Sequence, residues 1–307
     1  MKVSFVLPAY KRAFLREAIA SILAQTYRDF ELVVVDDASP ENLKEVVDGF
    51  SDRRLSYFRN SENIGGENLV AAWNKAIGRA HGEWCVLASD DDIYAPEFLE
   101  KMLGLAARHP GVDLVHARVK IIDGSGAVVG ISPAKPEIES AIELLYDRIV
   151  RKADQFVPEF MFKRSRLDEI GGFVPFPKAW YSDDATWALM AENGCANCNE
   201  PLFSFRCSGL NISTSYSKIF EQAEAGVAYR DWVESYAAAR TPSGDVEKHL
   251  LDKICENTGG RVLGLVLGEM SRTSFCEWWH VILRSSLPAR WKLSCMKSAV
   301  KRFLHLT

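Results

Sequence analysis

The sequence predicts an α/β fold, with a mainly parallel mixed sheet flanked by helices and a helical C-terminal appendage. Short apolar segments alternate with helical periodicity from Val3 to Val119, the pattern of parallel strands joined by crossover helices. From about residue 216 the apolar residues keep helical spacing, with breaks at 241–244 and at Pro288. These patterns divide the chain into an α/β domain at 1–215 and a helical region at 216–307.

The elements of the first half follow from their local patterns. Residues 31–35 are rich in valine, which favours a strand buried on both faces. Pro40 is suited to open a helix that continues through Val47, with Ser39 as its N-cap. Apolar periodicity marks the others: strands at 3–7, 55–58, 83–87 and 112–119, and helices at 14–23, 69–77 and 96–108.

The second half has a different pattern. The segment Asp123-Gly124-Ser125-Gly126 predicts a turn between two extended segments. Helical spacing then resumes around Ile142. Gly171-Gly172-Phe173 predicts a loop, and a further helix is expected at 187–192, ending near Gly194.

Composition and simple motifs exclude several functional classes. The 307 residues carry a net charge of −4, which gives no indication of nucleic-acid binding. Neither GxGxxG nor GxxxxGK[ST] occurs, which argues against dinucleotide-dependent dehydrogenases and P-loop NTPases. Cys195 and Cys198 have CxxC spacing but no second pair, so we expect free thiols in a reducing compartment and no zinc. The N-terminal apolar run stops at Pro8 and no stretch approaches ~20 apolar residues, so we expect a cytoplasmic protein.

Acidic residues follow two of the predicted strands. Ligands of open α/β sheets gather at the carboxyl ends of the strands, where Asp36-Asp37 and Asp90-Asp91-Asp92 lie. Consecutive carboxylates repel one another unless a cation or hydrogen-bond donors offset their charge. Mg²⁺ or Mn²⁺ would do so with one or two carboxylates plus phosphate oxygens and water. The alternative is that these acids only favour the start of the helix near Pro96.

Two acidic pairs have comparable alternatives. Asp36-Asp37 could accept hydrogen bonds from a nucleobase or a ribose, or could cap the helix that follows. Asp183-Asp184 stands at the start of a predicted helix, where one carboxylate could act as general base or as a structural cap.

Six segments carry short motifs in order along the chain: Pro8-Ala9-Tyr10, Gln25 to Glu31, Val35-Asp36-Asp37-Ala38-Ser39, Asn63 to Asn74, Asp90 to Pro96, and Gly171-Gly172-Phe173 with Asp183-Asp184. Together they resemble the inverting family 2 glycosyltransferases of the GT-A fold. The corresponding family motifs are an opening Pro-x-Tyr, a Gln-Thr-Tyr linker, Val-Asp-Asp-x-Ser, an asparagine–glycine donor loop, the Asp-x-Asp region and Gly-Gly-Phe followed by an acidic pair.

The resemblance implies a nucleotide-binding half at 1–119 and an acceptor half at 120–215. The donor would be a nucleotide-diphosphate sugar, most simply a UDP-sugar, and the acceptor a saccharide or lipid-linked saccharide hydroxyl in cell-envelope polysaccharide synthesis. The nucleotide-sugar site would comprise Pro8, Ala9, Tyr10, Asp36, Asp37, Asn63, Gly65, Asp90 and Arg206.

The same resemblance assigns the chemistry. Asp91 would bind Mn²⁺ or Mg²⁺, which would stabilise the leaving diphosphate. Asp184 would be the catalytic base for direct displacement with inversion, with Asp183 and Trp187 on the acceptor side.

Several positions depart from the family pattern. Lys11 replaces the usual asparagine, Ser89 the first acid of Asp-x-Asp, Asp183 a glutamate and Ser208 a late histidine. Two alternatives therefore stay open: a non-catalytic nucleotide-sugar-binding protein of the same fold, or a nucleotidyltransferase. The latter normally has a glycine-rich loop after the first strand, where this chain has Lys11-Arg12.

The C-terminal tail is basic and apolar. Seven bases interleave with tryptophan and leucine after Ser271, with Glu277 as the only acid; the bases are Arg272, Arg284, Arg290, Lys292, Lys297, Lys301 and Arg302. This pattern is typical of peripheral contact with an anionic membrane. The alternative is a helix packed on the catalytic domain with a solvated basic face.

Overall fold

The computed structural model describes residues 2–151, 153–209, 219–270, 282 and 288–303. Ten strands in these ranges form a single mixed sheet. They are β1 (Val3–Ala9), β2 (Phe30–Asp36), β3 (Leu55–Arg59), β4 (Trp84–Leu87), β5 (Ile93–Tyr94), β6 (Leu114–Asp123), β7 (Val128–Ile131), β8 (Ile138–Glu139), β9 (Phe160–Lys163) and β10 (Cys195–Cys207).

The sheet order is β3-β2-β1-β4-β9-β6-β10-β5, with β7 on β6 and β8 on β10. The four strands of the first half are parallel to one another, and β6 is parallel to β10. Strand β9 runs antiparallel to both β4 and β6 and joins the two parallel parts. The carboxyl ends of β1, β2 and β4 therefore meet at one edge, which confirms the predicted fold class.

Helices lie on both sides of this sheet. They are α1 (Leu15–Leu23), α2 (Leu43–Val47), α3 (Leu69–Ile77), α4 (Phe98–Arg108), α5 (Ala141–Ile149), α6 (Arg164–Glu169), α7 (Ser182–Met190), α8 (Ile219–Ala238), α9 (Asp245–Met270) and α10 (Ala289–Phe303). Among the helices of the described ranges, none is long and apolar enough to cross a membrane.

The core has three apolar clusters. One lies between the sheet and α1, α2 and α4, and a second packs α3 and α6 against the opposite face. The third joins α5 and α7 of the first 209 residues to α8, α9 and α10. The helical C-terminal region therefore shares a core with the acceptor half, and the predicted boundary at 215 falls outside the described residues.

Some local predictions were wrong. Helix α2 begins at Leu43 and is capped by Asn42, whose side chain accepts a hydrogen bond from Glu45 N. Ser39 lies in the turn before it, where its hydroxyl donates to Tyr10 O and accepts from Glu41 N. Helix α7 begins at Ser182, five residues before the predicted start. The 13-residue strand β10 was missed, because its edge and bulged positions interrupt simple alternation.

Candidate active site

The candidate site lies where β1, β2 and β4 end. Strand β1 is central, with the acidic end of β2 on one side and the acidic turn after β4 on the other. Pro8 is half-buried, Ala9 is buried and the Tyr10 side chain is 41% exposed. Parallel pairing thus brings together the predicted residues of the Pro-x-Tyr, Val-Asp-Asp and Asp-x-Asp segments.

Asp37 organises the loop that follows β3. Its Oδ1 accepts hydrogen bonds from Asn60 Nδ2 at 2.7 Å and Ile64 N at 3.1 Å, and its Oδ2 accepts one from Gly65 N at 2.6 Å. A Cβ atom at Gly65 would lie 3.0 Å from Asp37 Oδ2, so this close approach favours glycine. In the same loop Asn63 Oδ1 accepts a hydrogen bond from Gly66 N at 2.7 Å. Asp37 therefore shapes the predicted donor loop.

Asp36 is fully buried and faces the other side of β2. Its carboxylate accepts hydrogen bonds from Ser39 N at 2.8 Å and Tyr57 Oη at 2.6 Å, and it forms an ion pair with Arg59. These three donors fix the end of β2. A direct contact of Asp36 with a nucleotide stays a prediction.

The acidic turn after β4 is bound from two sides. Asp90 Oδ2 accepts hydrogen bonds from Tyr10 N at 2.8 Å and Lys11 N at 2.7 Å, which holds this turn against the end of β1. Asp92 is fully buried, and its carboxylate accepts hydrogen bonds from Arg206 N at 2.9 Å and from Ser89 Oγ. Asp91 lies between them with 7% of its surface exposed.

Burial and crowding make this turn receptive to a cation. Burial raises the pKa of Asp90, burial and the charge of Asp90 raise that of Asp91, and burial with the charge of Asp91 raises the pKa of Asp92 to about 8. A divalent ion would offset this repulsion.

The donor set fits a metal ion that also has phosphate ligands. Asp90 and Asp92 hold the turn in place through backbone hydrogen bonds, and Asp91, which the charge of Asp90 crowds, is the candidate protein ligand. In the part of the chain that the structure describes, no group of three or more His, Cys, Asp or Glu side chains could hold an ion by itself. One carboxylate completed by diphosphate oxygens and water is a common arrangement for Mg²⁺.

Arg206 requires a correction. Its side chain is 1% exposed and lies under the acidic turn, where Nε donates to Asp91 O at 2.8 Å and Nη2 pairs with Glu17 at 2.7 Å. The guanidinium also lies 4.2 Å from the ring centroid of Phe14. Because this group is buried in protein contacts, the structure supports a role in holding the acidic turn, and the predicted diphosphate contact is not supported.

The second acidic pair stands in the first turn of α7, and its members differ. Asp184 is 3% exposed, and its Oδ1 accepts hydrogen bonds from Arg148 Nε at 2.6 Å and from Gln155 Nε2 at 3.4 Å. Asp183 is partly exposed. Burial and the adjacent charge of Asp184 raise the pKa of Asp183 to about 7, close to the value that suits a general base.

Trp187 also requires a correction, because its side chain is fully buried in the core. The indole stacks on Phe160 at 4.7 Å between ring centroids and packs edge-on against Phe173 at 5.2 Å. It supports α7 from behind and is not available to an acceptor in this structure.

Two side chains, Lys178 and Asn74, join the predicted donor loop and helix α3 to the predicted acceptor half. Lys178 Nζ donates to Gly66 O at 2.9 Å and Glu67 O at 3.1 Å. Asn74 Oδ1 accepts a hydrogen bond from Phe173 N at 3.0 Å. The segment that carries Lys178 has left-handed backbone at three non-glycine residues before α7, and such strain is typical of functional sites; these are Lys178, Ala179 and Tyr181.

Sequence reasoning missed Arg148 and Lys178. Arg148 lies 36 positions before Asp184 in another helix, and Lys178 reaches 112 positions back to Gly66. No local pattern marks either residue, because each depends on how distant segments pack.

The chain matches known glycosyltransferases in sequence. A profile of glycosyl transferase family 2 matches residues 4–181. An uncharacterized glycosyltransferase of Haemophilus influenzae is 27% identical over 222 residues, 69% of this chain and 71% of that protein. One from Methanocaldococcus jannaschii is 33% identical over 141 residues, 44% of this chain and 47% of that protein. The chain spans about half the length of several of these relatives.

Solved structures share the fold. TarS of S. aureus, residues 1–349, superposes with a TM-score of 0.65 at 17% identity, covering 98% of this chain and 80% of that one. A mannosyltransferase of Pyrobaculum calidifontis, solved with GDP-Man and Mn²⁺, superposes with a TM-score of 0.54 at 18% identity. The match covers 100% of this chain and 88% of the mannosyltransferase. Together with the profile match over more than half the chain, they lead to one conclusion: this protein belongs to glycosyl transferase family 2, with the GT-A type of fold.

Proposed function

We propose that the protein transfers a sugar from a UDP-sugar to an acceptor hydroxyl with inversion, in cell-envelope polysaccharide synthesis. The observation that carries this proposal is that the acidic turn and the Asp37 loop meet at one sheet edge, and that Lys178, four residues before the first turn of α7, donates a hydrogen bond to Gly66 O of that loop. TarS has been solved with UDP and with UDP-GlcNAc, which makes UDP the first donor to test.

The donor would lie along the ends of β1 and β2. The main chain at Ala9 and Tyr10 and the loop shaped by Asp37 would bind the nucleoside, and Asp90 would face the ribose or the sugar. Asp91 would hold Mn²⁺ or Mg²⁺, which when bound supplies positive charge for the leaving diphosphate.

The base requires a choice between two neighbouring carboxylates. The resemblance favoured Asp184, but that side chain is buried and paired with Arg148. Asp183 is the partly exposed member, and its raised pKa of about 7 suits proton acceptance near neutral pH. We therefore assign the base to Asp183. Its carboxylate would take the proton of the acceptor hydroxyl while the hydroxyl oxygen attacks the anomeric carbon and the diphosphate leaves.

The proposal includes contact of helix α10 with an anionic membrane surface. In α10, Trp291 and Cys295 are buried in the protein core, whereas Arg290 and Lys297 are exposed. Such a helix would offer charge to an anionic surface without inserting its tryptophan. The tryptophans at 278 and 279 lie outside the described residues. A cytoplasmic protein that touches the membrane through this basic face would suit a lipid-linked acceptor.

Calorimetric binding of UDP, GDP and dTDP tests the donor site, each with and without Mn²⁺. We expect UDP to bind with Mn²⁺, and Asp91→Ala to remove that dependence on metal, with Asp252→Ala on the exposed face of α9 as the control. A preference for GDP or dTDP would replace the donor class. If the protein binds UDP but releases no UDP from any UDP-sugar, the non-catalytic alternative is favoured. If it binds only nucleoside triphosphates, a nucleotidyltransferase is favoured.

A further inference from the structure

A short segment joins the predicted donor loop to the first turn of α7. We call residues 173–182 the linking segment. Its Lys178 reaches the loop, where Nζ donates to Gly66 O at 2.9 Å and to Glu67 O at 3.1 Å. These carbonyl groups directly follow Gly65, whose amide donates to Asp37 Oδ2 at 2.6 Å. The Lys178 ammonium therefore contacts the same loop that would bind the nucleoside.

The linking segment is fastened to α7 at its other end. Phe176 N donates to Ser182 Oγ at 3.2 Å, and Val174 N donates to Thr186 Oγ1 at 2.9 Å. The Thr186 hydroxyl in turn donates to Ser182 O at 2.6 Å. Ser182 and Thr186 lie on either side of the acidic pair at 183–184 in α7. The linking segment and these carboxylates are therefore held as one unit.

The backbone between the two attachments has an unfavourable conformation. Lys178, Ala179 and Tyr181 have φ angles of 53°, 60° and 65°, which favour glycine. Such backbone persists only where the surrounding contacts impose it. Here Ala179 is buried, and the Tyr181 ring stacks on that of Tyr229 of α8 at 4.7 Å between centroids. The fixed backbone thus presents Lys178 to the donor loop from a defined position.

We propose that Lys178 is a positioning residue, which holds the donor loop in register with the acidic pair of α7. One ammonium that donates to two carbonyl oxygens restrains both the distance and the orientation between the two parts. Without these bonds a nucleotide would still bind the loop but would be less well placed against the carboxylates, which lowers the rate more than the affinity. This inference rests on the proposed function, because it takes the loop as the donor site and the acidic pair as the source of the base.

The first test compares Lys178→Met with Lys178→Arg and Lys75→Met in the full chain. Lys75 is exposed on the neighbouring helix α3 and is the matched control. Asn74 Oδ1 still accepts from Phe173 N in each variant, so the linking segment keeps an attachment to α3.

In Lys178→Met we expect the affinity for UDP with Mn²⁺ to stay within about threefold of wild type, while the kcat for release of UDP from UDP-GlcNAc falls about tenfold. Lys178→Arg restores the rate, because a guanidinium can also donate to two oxygens. Lys75→Met changes neither quantity.

Hydrogen exchange measures the coupling without turnover. In the wild type, UDP with Mn²⁺ should slow exchange of the backbone amides at 63–68 and also at 173–185, because the Lys178 bonds join the two segments. In Lys178→Met the protection at 63–68 should remain and that at 173–185 should be lost. Lys178→Arg and Lys75→Met should keep both.

Two results would overturn the inference. A loss of UDP affinity of at least about tenfold in Lys178→Met would make Lys178 a ligand of the nucleotide instead. Protection at 173–185 that persists in Lys178→Met would show that other contacts join the two parts.

Failure of the proposed function gives a different pattern. A wild-type protein that binds UDP but releases none rejects catalysis, and the exchange measurement alone then decides the inference. A wild-type protein that binds no UDP rejects the donor assignment, and the ligand-free proteins then decide. In them Lys178→Met should exchange faster than wild type at both 63–68 and 173–185, and Lys75→Met at neither. Faster exchange at 63–68 alone overturns the inference.

Discussion

Replacing Asp184 by asparagine separates the two candidate bases. The substitution keeps the size of the side chain but removes the charge that lies next to Asp183 and pairs with Arg148 at 2.6 Å. If Asp183 is the base, the variant stays active. The acidic limb of its pH–rate profile, where the rate falls as the base is protonated, moves to lower pH. If Asp184 is the base, the variant loses transfer at every pH.

The magnitude follows from the charges involved. Two carboxylates at a separation on the order of 6 Å repel by about 2–3 kcal/mol at an effective dielectric constant of about 20, which corresponds to about 2 pKa units. Arg148, released from Asp184, would lower the pKa of Asp183 further, since its charge already acts in that direction. From a starting pKa of about 7 we therefore expect a value near 5.

The stability of the protein should fall at the same time. Removing one partner of a buried ion pair costs about 3–5 kcal/mol, and the Arg148 side chain is 19% exposed, so we expect the lower part of that range. The assay is the pH dependence of UDP release, with urea unfolding as the measure of stability. Asp183→Asn is the matched control and should lose at least about a hundredfold in rate. An unmoved acidic limb in Asp184→Asn, together with an active Asp183→Asn, would refute the reasoning.

Two further predictions concern glycine 172 and the donor loop. In urea unfolding, Gly172→Ala should destabilise the protein by about 1–2 kcal/mol more than Gly171→Ala. Both glycines have left-handed φ, so the backbone strain is common to the two variants. Only at Gly172 would the new Cβ atom lie 2.8 Å from Asn74 Oδ1. Equal costs would show that Asn74 can move aside. Asp37→Asn should weaken UDP binding in calorimetry at least about tenfold, because the amide cannot accept from both Gly65 N and Asn60. Unchanged affinity would mean that the loop is not part of the donor site.

The sequence predicted much of the first half, for reasons visible in particular elements. Residues 32–35 are apolar and mostly β-branched, which favours a strand buried on both faces, and the observed burial of β2 confirms this prediction. Predictions failed where a side chain had a tertiary partner. Ser39 was expected to cap α2, but its hydroxyl bonds the turn between Tyr10 O and Glu41 N, and the helix begins four residues later with Asn42 as its cap.

The sequence by itself determined the fold class, the family and the acidic segments at the strand ends, because those features depend on local periodicity and short motifs. Only the tertiary structure decided how each acid is used. Asp183 and Asp184 are adjacent and chemically identical, yet one is partly exposed and the other lies buried against Arg148. Desolvation and pairing depend on distant helices, and those contacts leave no trace in the residues around the pair.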